Sequence, residues 1–175
     1  MADDMKWILA ALTSLIATWP MPTVPTDSPL DWAIATYEQA DITIPPVQMT
    51  IGGEWCEGIV SAYYTEGQIV VCQPDSPRLP SVLLHELGHL LDHTYLTDAD
   101  RDALMAMWSS ESWDSREITW GDRGQEQFAD AIAWAVGAED TRTRVGAEAE
   151  WEIVRVGLNA AEMTAAFEIL LATMP

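Results

Sequence analysis

The chain reads as an α+β domain with a small sheet set among helices, and three observations predict that class. Apolar residues recur at helical spacing near the N-terminus and again after residue 80. Short β-rich runs bounded by glycine and proline cluster between residues 42 and 73. Helix start signals then follow one another through the second half. With 175 residues the chain is expected to form a single domain with a real core. Its parts are N-terminal helices over 1–41, a small mixed or antiparallel sheet over 42–73, a group of helices over 80–137 and a helical tail over 138–175.

The first helix is expected from Met5, Ile8, Leu9, Leu12, Ile16 and Trp19, which share one face, while Thr13, Ser14 and Thr18 mark another. It is too short to span a bilayer. Asp3 and Asp4 stand before it against a single Lys6, so the positive leader of a signal peptide is missing and a cytoplasmic location is favoured. Pro20, Pro22, Pro25 and Pro29 make a stiff connector. Ser28 as N-cap, Pro29 at the first helical position and Asp31 in the first turn then start a helix reaching about Ala40. Strands are predicted over Val47 to Ile51, Ile59 to Tyr64 and Gln68 to Cys72, the last two joined by a turn at Glu66-Gly67.

The proline-bounded loop from Pro74 leads into a helix opened by Pro80. Leu83, Leu84, Leu87, Leu90 and Leu91 make that helix central. Thr97 and Asp100 form a capping-box-like start for a helix reaching about Ser109. A polar, tryptophan-bearing loop runs from Ser110 to Gly124, and a helix over about Gln125 to Val136 ends at Gly137. Ala147 to Val156 suits helix or loop alike. Asn159 with Glu162 opens a last helix rich in Phe167, Ile169, Leu170 and Leu171.

The net charge of −20 comes from 28 acidic residues against eight basic ones. So acidic a surface repels phosphate backbones and anionic lipid heads, which disfavours nucleic-acid and membrane partners. It suits solubility or adaptation to salt, and it would attract basic peptides. Cys56 and Cys72 flank the expected hairpin. They suit either one disulfide or two buried thiols, and the missing leader favours the reduced state.

Chemistry concentrates at His85-Glu86-Leu87-Gly88-His89, which holds two of the three histidines in the chain. Positions i and i+4 share a helix face, so both imidazoles can reach one metal ion, with Glu86 beside them as general base to a water. A catalytic zinc site needs a third protein ligand. His93 continues the series but lies about 12 Å along the axis from His85 at a rise of ~1.5 Å per residue, too far for one ion. Glu126 is the better candidate, from Glu126-Gln127-Phe128-Ala129-Asp130. Asp130, one turn on, can then accept a hydrogen bond from the far nitrogen of His85.

Taken together, His85 to His89 and Glu126 to Asp130 resemble the gluzincin branch of zinc metallopeptidases. The closer likeness is to the catalytic domain of anthrax lethal factor and its relatives. Those proteins pair a His-Glu-Phe-Gly-His helix, with an aspartate three residues later, with a Glu-Phe-Phe-Ala-Glu helix; here Asp92 takes the place of that aspartate. The likeness covers roughly residues 80 to 137. It implies a zincin-like fold, Zn²⁺ held by His85, His89 and Glu126, Glu86 as base, and Asp130 and Asp92 as supports to the ligands. The relatives carry a tyrosine shortly before the glutamate ligand, where this chain reads Thr119-Trp120-Gly121-Asp122-Arg123. An indole cannot ionise, which leaves Arg123 as the candidate to stabilise an oxyanion. Tyr95 is a further phenol without a clear route to the ion.

The expected activity is zinc-dependent endopeptidase action on a peptide or protein, with basic peptides favoured. The substrate would lie extended along a sheet edge at Gln68 to Gln73. The alternative is a zincin-fold binding or structural module that holds metal without cleaving.

Overall fold

A computed structural model describes residues 28–53, 56, 61–137 and 158–175. The expected helix at Met5 to Trp19, the prolines before Ser28 and the segment Ala147 to Val156 lie outside the described residues. Helix α1 (Pro29–Glu38) is followed by strands β1 (Gln48–Ile51), β2 (Ala62–Thr65) and β3 (Gln68–Val71). Then come α2 (Leu79–Tyr95), α3 (Asp98–Trp108), a short 3₁₀ turn at Trp120–Asp122, α4 (Gly124–Val136) and α5 (Ala160–Thr173). The α+β class is as expected.

The helix starts follow the caps. Ser28 accepts from the Asp31 N–H at 3.3 Å, with Pro29 opening α1. Thr97 with Asp100 and Asn159 with Glu162 make reciprocal capping boxes for α3 and α5. Helix α4 has no side-chain cap; the carbonyls of Ser112 and Trp113 accept from the Gly124 and Gln125 N–H groups at 3.0 and 2.9 Å.

The sheet is mixed, in the order β1-β3-β2, with β1 parallel and β2 antiparallel to β3. Glu66 and Gly67 both have positive φ, 44° and 80°, which is the signature of the two-residue turn that suits hairpin twist. The central position of β3 overturns the expectation that Gln68 to Gln73 forms a free edge. Both of its sides are paired, because β1 adds parallel to it through a crossover that the local pattern does not encode. Among the described residues the free edge next to the hairpin belongs to β2. The Cys72 N–H donates to the Ser61 carbonyl at 2.9 Å, and alternation from that pair turns the backbone groups of Ala62 and Tyr64 outward.

Cys56 and Cys72 are joined in a disulfide, which corrects the expectation of free thiols. Folding brings Cys56 to Cys72, the residue after β3, so the pairing is set by topology. Closing a loop with a sequence separation of 16 restricts the unfolded chain by about 3 kcal/mol. Among the described residues no helix is long and apolar enough to cross a membrane.

Helix α2 is the spine of the core. Leu83, Leu84, Leu87 and Leu91 are fully enclosed, and burying each contributes about 1.5–3 kcal/mol. The Tyr37 hydroxyl ties α1 to it by donating to the Leu84 carbonyl at 2.6 Å. Its closest neighbour is α4. A Cβ at Gly88 would stand 2.7 Å from the Ala129 Cα, so the two backbones touch there and no side chain fits between them.

Candidate metal centre

The contact at Gly88 and Ala129 sets the site. Gly88 lies between the two histidines on α2, and Ala129 lies between Glu126 and Asp130 on α4. Backbones this close let short reaches suffice. His85 Nε2 lies 3.1 Å from His89 Nε2 and 3.2 Å from Glu126 Oε2, and His89 Nε2 lies 3.3 Å from the same oxygen. Among the described residues these three side chains form the one group of histidine, cysteine or acidic residues that could hold a metal ion.

The donor set tests well against such an ion. Two imidazole nitrogens and a carboxylate oxygen at about 3 Å put lone pairs face to face, which needs protons or a cation between them. A triangle with sides of 3.1 to 3.3 Å matches one face of a tetrahedron with metal–ligand bonds of about 2 Å. Behind it, His85 Nδ1 and Asp130 Oδ1 are 2.6 Å apart, as expected from the sequence. A proton held on Nδ1 leaves Nε2 as the free donor atom toward the other ligands.

Electrostatics agree with this pairing. Burial pulls His85 down, but the Asp130 charge and hydrogen bond, with Glu126 and Glu86 adding, hold its imidazole well above the usual range. Burial raises Glu126, and hydrogen bonds and charges from both histidines outweigh that and keep it well below the usual carboxylate range. Glu86 goes the other way. Its burial raises the carboxyl, opposed by His85 and His89, reinforced by Glu126 and opposed again by a hydrogen bond from the Tyr64 backbone. Glu86 is therefore a buried, poorly solvated carboxyl beside the ligands, turned toward the free edge of β2.

Other expected participants stand elsewhere. Asp92, at 2% exposure, does not touch the ligands; its two oxygens accept from Arg101 Nε at 2.9 Å and Trp113 Nε1 at 3.0 Å. It shares a face with His85 but lies about 10 Å further along the axis, so it meets the loop that precedes α4. Arg123 donates from Nη2 to the Ile118 carbonyl at 3.4 Å, and no described contact joins it to the cluster. His93 packs on Tyr64 with ring centroids 5.5 Å apart, away from the ligand group. The Tyr95 hydroxyl donates to the Thr43 carbonyl at 3.4 Å.

Sequence reasoning placed Trp120 before Glu126 but missed that its ring lies 5.6 Å from that of His85 at an interplanar angle of 23°. An indole therefore covers one side of the imidazole. Sequence reasoning also missed Gly88, although a glycine between two ligands on a helix is a visible sign of a close crossing. The Tyr64 amide had no signal in the sequence. No protein-family model, curated protein or solved structure matches the chain.

Proposed function

We propose that this chain is a small zinc-dependent endopeptidase of the gluzincin type, resembling the catalytic domain of lethal factor and its relatives. The observation that carries the reading is the triangle of His85 Nε2, His89 Nε2 and Glu126 Oε2, with sides of 3.1 to 3.3 Å, beside the buried Glu86. Two histidines and one carboxylate are a ligand set that leaves a fourth position of a tetrahedral ion open, unlike a closed structural site. A zinc ion bound there supplies Lewis acidity toward a carbonyl and acidifies a water to a pKa of about 7.

The remaining work falls to the protein's own side chains. Asp130 holds the proton on His85 Nδ1 and so fixes which nitrogen serves as ligand. Trp120 shields one face of that ring from solvent. Glu86 accepts a proton from the attacking water as oxygen bonds to the scissile carbonyl carbon, and returns it to the amide nitrogen as the C–N bond breaks. Its raised carboxyl suits this two-way exchange, because a base works best with a pKa near the working pH. An extended peptide pairs with the outward amide and carbonyl of Ala62 and the outward carbonyl of Tyr64 on β2, the Tyr64 amide being held by Glu86. The acidic surface favours basic peptides.

The test is Glu86→Gln. Zinc content should stay at one ion per chain while cleavage of a diverse peptide library falls by about 10²–10⁴-fold. Undiminished cleavage by that variant would sink the mechanism.

A second reading, a metal-holding module without turnover, has one observation in its favour. The Tyr37, Tyr64 and Tyr95 hydroxyls engage Leu84, Gly67 and Thr43, and Trp120 occupies the flank of His85. Bound zinc with no cleavage of any peptide by the wild type would select it.

A further inference from the structure

Asp92 is buried on the helix that carries the histidines, yet it touches none of the ligands. What it holds is Trp113, and Trp113 in turn is built into the start of the helix that carries Glu126. The Trp113 carbonyl accepts from the Gln125 N–H at 2.9 Å, and the neighbouring Ser112 carbonyl accepts from the Gly124 N–H at 3.0 Å. The indole lies so close over Gly124 that a Cβ there would stand 2.5 Å from Trp113 Cε3. Beyond Glu126 the same ring meets Phe128, with centroids 6.2 Å apart. Arg101 closes the group: it donates to the Asp92 carboxylate, donates to the Asp92 carbonyl at 3.2 Å and sits 6.0 Å from the Trp113 ring centroid.

We infer that Trp113, anchored by Asp92, is a positioning residue that sets the register of Glu126 against His85 and His89. Resting on the metal-site reading above, the inference concerns how the third ligand is held. Helix α4 has no side-chain cap of its own, so its first turn is placed by what grips its leading amides. Ser112 and Trp113 share that grip, and of the two Trp113 has its ring nitrogen bonded to the histidine helix at 3.0 Å. A shift of α4 by half an ångström would take Glu126 Oε2 out of its near-equal distances of 3.2 and 3.3 Å to the two imidazoles. The Gly88–Ala129 contact fixes how close the helices lie, and Trp113 fixes how far one slides along the other.

The test is Trp113→Phe, which keeps a ring over Gly124 and removes the N–H to Asp92. Zinc affinity is measured by chelator competition, and the visible spectrum of Co²⁺-loaded protein reports the ligand set. Ile69→Ala, in the central strand, serves as a core variant of comparable unfolding loss. Trp113→Phe should weaken zinc by about 10–100-fold and move the cobalt spectrum toward that of Glu126→Ala, while Ile69→Ala keeps the wild-type spectrum. Should Trp113→Phe fail to fold, Asp92→Asn is expected to shift affinity and spectrum in the same direction. Wild-type affinity and spectrum in the folded variant overturn the inference and leave the metal site standing. An equal spectral shift in Ile69→Ala also overturns it, because general loosening then suffices. A wild type that binds neither metal overturns both.

Discussion

On the flank of α2 that carries Gly88 and Asp92, backbones touch and each carboxylate has a named partner. On the flank that carries Glu86 and His93, about 100° around the helix per residue step, the neighbour is the free edge of a single strand. The histidines lie between the two. The closed flank is where Glu126 and Asp130 meet the histidines, with no space to spare. The open flank holds Glu86, whose carboxyl is raised by burial, next to outward-facing backbone groups of β2. Holding a metal and using it would call for opposite surroundings, and one helix has both kinds of flank around its circumference.

A substitution does most damage at the closed flank. Gly88→Val places branched carbons against the Ala129 backbone, which cannot give way. It should cost about 3 kcal/mol in denaturant unfolding and more than 100-fold in zinc affinity, with the two losses appearing together. Wild-type affinity in that variant would mean that the helices do not need their close approach. Asp130→Asn is milder. It keeps the shape and removes the charge behind His85, and a loss of about 10–100-fold in zinc affinity with little change in stability is expected.

The smallest effect is on pH. In the metal-free protein His85 sits above its ordinary value, so its protonation stabilises the fold fully at low pH, and that contribution is lost as pH rises through the folded-state value. A metal needs the neutral ring. Zinc affinity should therefore fall by up to about tenfold per pH unit below the His85 value, with a proton released on binding. Calorimetry in buffers of different ionisation enthalpy measures that proton, and its absence at acidic pH would show that His85 is already neutral before metal arrives.

Much of this was legible locally. Capping pairs such as Thr97 with Asp100 specify a helix start within four residues, and they appear as expected. The i, i+4 spacing of His85 and His89 defines a face, and the pairing of His85 with Asp130 followed from the same rule on a second helix. What escaped depends on contacts between distant segments. The central place of β3 rests on parallel pairing between Gln48 and Gln68, across a crossover with no local signature. Asp92 was expected as a support for the ligands from the resemblance to the lethal-factor pattern, and its distance along the axis sends it to Trp113 instead. Trp120 could be placed near the ligand glutamate from sequence, but nothing in an indole's own chemistry announces that it will lie on an imidazole.

The bond between Cys56 and Cys72 has a mechanical side. The chain from one cysteine to the other contains the whole of β2, the tight turn and β3, so the hairpin is a closed ring. At one end it is cinched by a turn of two residues, at the other by a covalent link. The strand whose outer edge faces Glu86 is thus the free side of a loop that cannot be unzipped from either end while the link is intact. A reductant would remove the link at one end and leave the turn and the ladder to β3 to hold that strand beside Glu86.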